Sequence, residues 1–324
     1  MALIFQFINI MAHYLDPKYD LTFKRVFGEH KHLCISLINN MLPLEKPIVS
    51  IEYQSGELIP ELVDILRNTI VDVRCTDSEG RQFIVEMQLF WYASFKKRVL
   101  LNAAKAYTMQ LEKTQKLNSL QPVYSLNFIN EVFERSKKME NVYFHHYKIV
   151  NPKDIEKQIK GLEFVFIELP KFKPQNRAEK KLHDLWLRFL TEINEMTEEV
   201  PAELLENDDI REAIGYMERA AYTKAQLAAY DKWKIDTMTA NSMLIASKDE
   251  GLKEGEAIGL EKGEAIGLEK GKAIGLDEGK KLVEQEKLLV AKKLHKKGMS
   301  IEGISDATGL TQEQLKEHIF RHEN

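Results

Sequence analysis

The segment from Ile70 to Gln88, IVDVRCTDSEGRQFIVEMQ, constrains this chain more than any other. Two alternating runs flank Ser78-Glu79-Gly80, which reads as a three-residue hairpin loop, a type I turn closed by a left-handed glycine. That loop pairs Asp77 with Arg81, and so sets Asp72 opposite Glu86 and Ile70 opposite Gln88. Val71, Val73 and Cys75 then meet Met87, Val85 and Phe83 on the other side. One face is dry, and the other carries two carboxylates and an amide. A slip of one residue would scatter both sets, because side chains alternate with a period of two.

Carboxylates directly opposed across a hairpin repel unless a cation sits between them or one is protonated. Mg²⁺ satisfies that need: it takes oxygen ligands, keeps several waters, and commonly uses one or two carboxylates with substrate phosphate oxygens. Other divalent ions could serve. Gln88 falls on the same face, where its amide could orient an attacking water or hold a phosphate. Spacing alone equally admits a solvated strand pair whose polar face is acidic by coincidence.

Around this hairpin the chain alternates in type. Residues 16–42 read as a helix entered through Asp16-Pro17 and stopped by Pro43, with Asp20 and Lys24 four apart on one face. Strands are expected at 48–53, 70–76, 81–88, 123–129, 142–150 and 162–169, with a helix from Ser94 to about Lys116. His145 and His146 face opposite ways along one strand, as a core or surface pair rather than a metal site. After Pro174 the β signal stops, and residues 176–248 read as a helical appendage with Leu182, Leu185, Trp186, Phe189 and Leu190 in one stripe. An octapeptide then repeats from Gly251, GLKEGEAI, GLEKGEAI, GLEKGKAI and GLDEGKKL, placing eight glycines at every fourth residue within 249–282. Those glycines oppose a helix by roughly 8 kcal/mol in all, so a marginal helix or flexible spacer is expected. Close pairing of two chains along the glycine ridge is the competing reading. Residues 283–324 break at Gly298 and Gly309, with Ser300 and Thr311 as N-caps, in a spacing like a helix-turn-helix. That tail carries eight basic and seven acidic residues from Lys281 on, so its electrostatics favour duplex DNA only weakly.

Further motifs point to one family. YLDPKYDLTFKRVFGEH, VDV, FIVEMQ, RVLLNAAKAY, PVYSLNFIN and FHHYKIV, in that order over residues 11–172, resemble the Rpn family of recombination-promoting nucleases and transposases. The repeat and terminal segment are similar to that family's tails. Within it, Asp72…Glu86-x-Gln88 looks like the PD-(D/E)XK motif with glutamine in place of lysine. The resemblance implies an α+β fold: a restriction-endonuclease-like αβββαβ core at 11–175 followed by an all-helical C-terminal extension. It implies metal-dependent DNA cleavage, with Asp72 and Glu86 as metal ligands, Gln88 as the third motif residue, and Asp20 where related nucleases sometimes hold another acid. Glutamine removes a positive charge that could stabilise the transition state.

DNA is the expected partner. From Leu89 to Asn118 six lysines and arginines stand against one glutamate, the most basic stretch of the chain. Lys96, Lys97, Arg98 and Lys105 there, with Lys24 on the first helix, are the expected phosphate contacts. The whole chain, with 46 basic and 50 acidic residues, is mildly acidic, so any such surface is a local patch. The competing functions are a DNA-binding protein without cleavage and an oligomeric interaction protein held by the helical C-terminal region. Two cysteines outside any metal-binding spacing suit a reducing, cytoplasmic setting, and no apolar run approaches the ~18 residues of a membrane span. MALIFQFINI, residues 1–10, reads as an extension, with Met11 as an alternative start.

Overall fold

The computed structural model describes residues 13–55, 72–114, 116–174 and 181–320. The expectations for residues 1–10, Met11, Ile70 and Val71 lie outside these. The chain divides into two compact units, residues 1–241 and 242–324.

The first unit opens with α1 (Asp20–Phe23), which passes into a π-helical turn over Lys24–Gly28, and α2 (Lys31–Met41). The single helix expected over 16–42 is therefore interrupted. His30 is extended there, and the carbonyls exposed by the break find other donors: the Tyr53 hydroxyl donates to Phe27 O at 2.8 Å, and His30 Nδ1 lies 2.8 Å from Arg25 O. A break whose polar groups are satisfied by side chains from elsewhere leaves no mark on apolar periodicity.

Six strands form one sheet: β1 (Ile51–Tyr53), β2 (Val73–Asp77), β3 (Gln82–Gln88), β4 (Val123–Ile129), β5 (Phe144–Asn151) and β6 (Asp154–Glu168), in the order β1-β2-β3-β4-β6-β5. The β2–β3 hairpin has the expected register, with Val73 opposite Val85 and Cys75 opposite Phe83. Gly80 closes it at φ 84°, its N–H donating to Asp77 O at 3.1 Å. β3, β4 and β6 run parallel, and α3 (Phe95–Thr114) is the crossover that the β3–β4 pair requires. β6 begins eight residues before the expected Leu162. Residues 155–160 are exposed as they pair back onto β5, so no apolar alternation announced them.

Each face of the sheet has its own cover. Ala103 and Ala106 of α3 pack on Ile84 and Val123, while Phe95 and Val99 pack on Ile129 and Phe166. The opposite face is covered by α2, α4 (Leu182–Glu192) and α6 (Asp208–Gly215), with the short α5 (Ala202–Leu205) between the last two. Trp186 and Phe189 meet Phe27 edge-on at 5.3 and 6.5 Å. These helices share one core with the strands and are not an appendage beginning at residue 176. Periodicity showed that their stripe is buried, but not that the sheet is what buries it.

The whole octapeptide repeat is α-helical, inside α7 (Lys224–Lys296). At none of its eight glycines would an added Cβ meet another atom within 4 Å, and its Leu and Ile side chains are exposed. Of the two expected forms, a marginal helix or a flexible coil, the segment takes the helix. No proline interrupts it, and Glu, Lys, Leu and Ala all favour helix. Beyond it come α8 (Ile301–Thr308), α9 (Gln312–Leu315) and a π-helical turn over Lys316–Phe320. Ser300 caps α8, Gly309 ends it at φ 68°, and Thr311 forms a capping box with Gln314. Ala291, Ile304, Leu310 and Leu315 make the small core of this three-helix tail. Among the described residues no helix is long and apolar enough to cross a membrane.

Candidate active site

Strand alternation places Glu86 and Gln88 of β3 on the side of the sheet that α3 approaches, and Asp72 stands immediately before β2. Asp72 Oδ2 accepts from the Met87 N–H at 2.7 Å, tying the start of β2 to β3 one residue past the last ladder pair. Burial pushes the Asp72 carboxyl up to about 7; the nearby Glu86 and Asp20 charges add to this, and Lys24 and the Met87 N–H oppose it. Burial likewise raises Glu86, against the pull of Arg98 and Asn102. Asp20 and Lys24 form an ion pair at 2.6 Å on one helix face, close enough to Asp72 to act on its charge. The first helix and the hairpin therefore bring three carboxylates into one electrostatic neighbourhood.

α3 contributes what the sequence did not foresee. Arg98 and Asn102, four residues apart and so on one helix face, both turn toward Glu86. Arg98 Nη2 lies 3.0 Å from Glu86 Oε2 and 3.0 Å from Gln88 Oε1, and Asn102 Nδ2 donates to Glu86 Oε1 at 3.1 Å. The Gln88 Nε2 donates to Phe90 O at 2.8 Å. Both ends of that amide are engaged within the protein, each by one hydrogen bond, which leaves the second N–H and the second lone pair open. Asn102 was legible only as a polar residue one turn beyond Arg98 on an otherwise apolar helix face.

The expected phosphate contacts separate. Arg98 is turned inward onto Glu86, its side chain 18% exposed. Lys96 Nζ is lodged among rings, 4.6 Å from the centre of Phe133 and 5.3 Å from that of Tyr147. Lys97 is exposed, Lys105 is partly buried two turns beyond Arg98, and Lys24 is engaged by Asp20. Basic residues spread around a helix cannot all face one duplex, and the composition of the segment did not show this.

The two histidines stand apart from the site. Buried His145 pairs with Glu168 at 2.9 Å, and His146 pairs with Glu163 at 2.8 Å.

The donors present suit a hard divalent ion. They are oxygens only, and the two main ones are the half-buried Asp72 and the buried Glu86 carboxylates, whose repulsion an ion would relieve. Each Glu86 oxygen already accepts one hydrogen bond and keeps a second lone pair. Asn102 Oδ1, beside Glu86, is buried without a donor, an opening that a bound water would fill. Among the described residues no group of three or more His, Cys, Asp or Glu side chains forms a ready-made cage. The protein would supply two carboxylates and leave the remaining ligands to water and phosphate.

A hairpin that carries two acids, continued by a parallel β-α-β crossover, is the arrangement the sequence motifs implied. No curated protein and no solved structure matches the chain. A family model described as PD-(D/E)XK nuclease family transposase matches residues 17–243, which takes in the sheet and the helices on both of its faces. The chain belongs to the PD-(D/E)XK nuclease family transposases.

Proposed function

We propose that this protein is a divalent-metal-dependent DNA endonuclease acting in recombination or the movement of mobile elements. The observation that carries the reading is the pair Asp72 and Glu86: two carboxyls at one end of the β2–β3 hairpin, near enough to act on each other's charge and both held above their ordinary range by desolvation. A fold tolerates such a pair when binding a cation repays it. Mg²⁺, when bound, would polarise the scissile phosphate and lower the pKa of a coordinated water. Asp72 and Glu86 would hold the ion, the Met87 N–H fixes the Asp72 rotamer, and Asn102 fixes that of Glu86. Asp20 adds negative potential, and Lys24 keeps it oriented.

Cys34 and Cys75 are free thiols. Their mutual contact and burial push Cys34 well up, so it is an inert core thiol.

Supercoiled plasmid incubated with wild-type protein and Mg²⁺ or Mn²⁺ should be nicked. EDTA should stop the reaction, and Asp72→Asn should lower it at least about 100-fold. Cleavage that survives EDTA, or is equal in the variant, would overturn the reading. A protein that binds DNA without cutting is favoured by one feature, a cleft in the terminal unit lined by Lys292, Lys293, His295, Lys296 and His318. A gel shift in EDTA with no nicking under any divalent ion would establish that alternative.

A further inference from the structure

The family's motif ends in lysine, yet the third position here is Gln88, an uncharged side chain whose oxygen and nitrogen are both engaged within the protein. We propose that Arg98 of α3 carries the positive charge of that position, with Gln88 serving as its seat. The proposal rests on the nuclease reading and deepens it by assigning the site's cationic residue.

Three observations converge. A single nitrogen, Nη2, donates to both Glu86 Oε2 and Gln88 Oε1, each at 3.0 Å, so the guanidinium sits between the second and third motif residues. The Gln88 amide is oriented by Phe90 O so that its oxygen, rather than its NH₂, faces Arg98. Glutamine accepts a hydrogen bond from arginine there; lysine would repel it. The glutamine and the arginine thus fit each other, and replacing one alone breaks the match. The guanidinium also rests 5.0 Å from the Phe95 ring centre and 5.8 Å from that of Tyr92, which hold it to one side of the acids.

Arg98 has two roles in this arrangement. It positions Glu86 and Gln88, and it keeps a fixed positive charge beside the acids, where negative charge would build on a phosphate in the transition state. As a neighbour of a metal ligand, it also competes with any ion for Glu86. A simple phosphate-gripping residue on the helix surface would do neither.

The test uses the full chain, with Arg98→Met and Arg98→Ala compared with wild type and with the double variant Gln88→Lys/Arg98→Met. Methionine keeps the packing on Phe95 and Tyr92 and removes the charge. Single-turnover nicking with Mg²⁺ at saturating protein should slow about 100-fold or more in Arg98→Met. DNA affinity in Ca²⁺ should change less than about threefold, and the double variant should recover at least about tenfold. Calorimetric titration with Ca²⁺ at pH 8 without DNA gives a readout independent of activity: Arg98→Met should bind the ion more tightly, because a competing cation is gone. If wild type neither binds Ca²⁺ nor nicks DNA with any divalent ion, the nuclease reading fails and this proposal fails with it. If wild type is active and Arg98→Met nicks as fast, or loses only DNA affinity, or the double variant recovers nothing, the proposal alone is overturned. Should Arg98→Ala fail to fold, Arg98→Met decides; should both fail, the calorimetric and kinetic comparison passes to Arg98→Gln, with the same outcomes.

Discussion

Asp72 and Glu86 are costly residues to keep where they are, and the cost can be measured. In metal-free buffer Asp72 titrates near 7 in the fold, against about 4 in an unfolded chain. Below pH 4 it is protonated in both states, and burial carries no charge penalty. As the pH rises from about 4 to 7 the unfolded chain ionises first, so the folded state loses stability, and above 7 the loss is complete. Asp72→Asn should cancel that decline. Its melting temperature in EDTA should match wild type near pH 4 and exceed it by about 5 °C or more at pH 8. A gap independent of pH would contradict the assignment. Mg²⁺ at pH 8 should raise the melting temperature of wild type and leave that of Asp72→Asn nearly unchanged. The hairpin register, which sets Glu86 and Gln88 on one face of β3 with Asp72 near Glu86, was readable, because alternation and a glycine turn leave one register. The direction of Arg98 was not, since charge counts along a helix say nothing of which residue faces the sheet.

The hairpin and the loops that brace the sheet invite two tests of local structure. Gly80 sits at φ 84°, and a Cβ there would come 3.1 Å from Gln121 Cγ. Gly80→Ala should cost about 1–2 kcal/mol by denaturant titration and weaken metal binding, because the turn sets the Asp72–Glu86 register. At the end of β6, Glu168 is fully buried and holds a loop in place. It accepts from the Phe133 and Glu134 N–H groups at 2.6 and 3.0 Å, and it faces His145 and Lys171. Glu168→Leu should destabilise the protein by about 3–5 kcal/mol in urea, as it leaves two amides without their acceptor and Lys171, still bonded to the Glu134 and Met139 carbonyls, without its counter-charge. A loss under 1 kcal/mol would show that water replaces the carboxylate. Gly80 was readable as the left-handed glycine of the turn, but the role of Glu168 was not, because the two amides and the His145 ring that it holds lie 23 to 35 positions away.

Outside the family-matched region lies the whole repeat, a helix that carries eight glycines with nothing near them. If this segment is a spacer, Gly255, Gly259 and Gly263 changed together to Ala should stabilise it by about 1–3 kcal/mol and leave the protein's mass in solution unchanged. If instead the ridge brings two chains close, the added methyl groups should weaken association. Sedimentation at several concentrations separates the two outcomes. Deleting Gly259–Ile266 should leave nicking by the first unit unchanged, because each of the site's residues lies before residue 103.

Local rules determined the hairpin, its register, the acid pair, the caps at Ser300 and Thr311, and the stops at Gly298 and Gly309. Each depends on residues within a few positions of one another, and the relevant energies, turn geometry and strand alternation, are local. Tertiary structure decided the rest: the break between α1 and α2, the burial of α4 and α6 against the sheet, the reach of β6 along β5, and the inward turn of Arg98 onto Glu86 and Gln88. These depend on which apolar faces meet and which distant donor reaches a carbonyl or carboxylate. Such choices are made by packing across the whole first unit, and no window of sequence contains them.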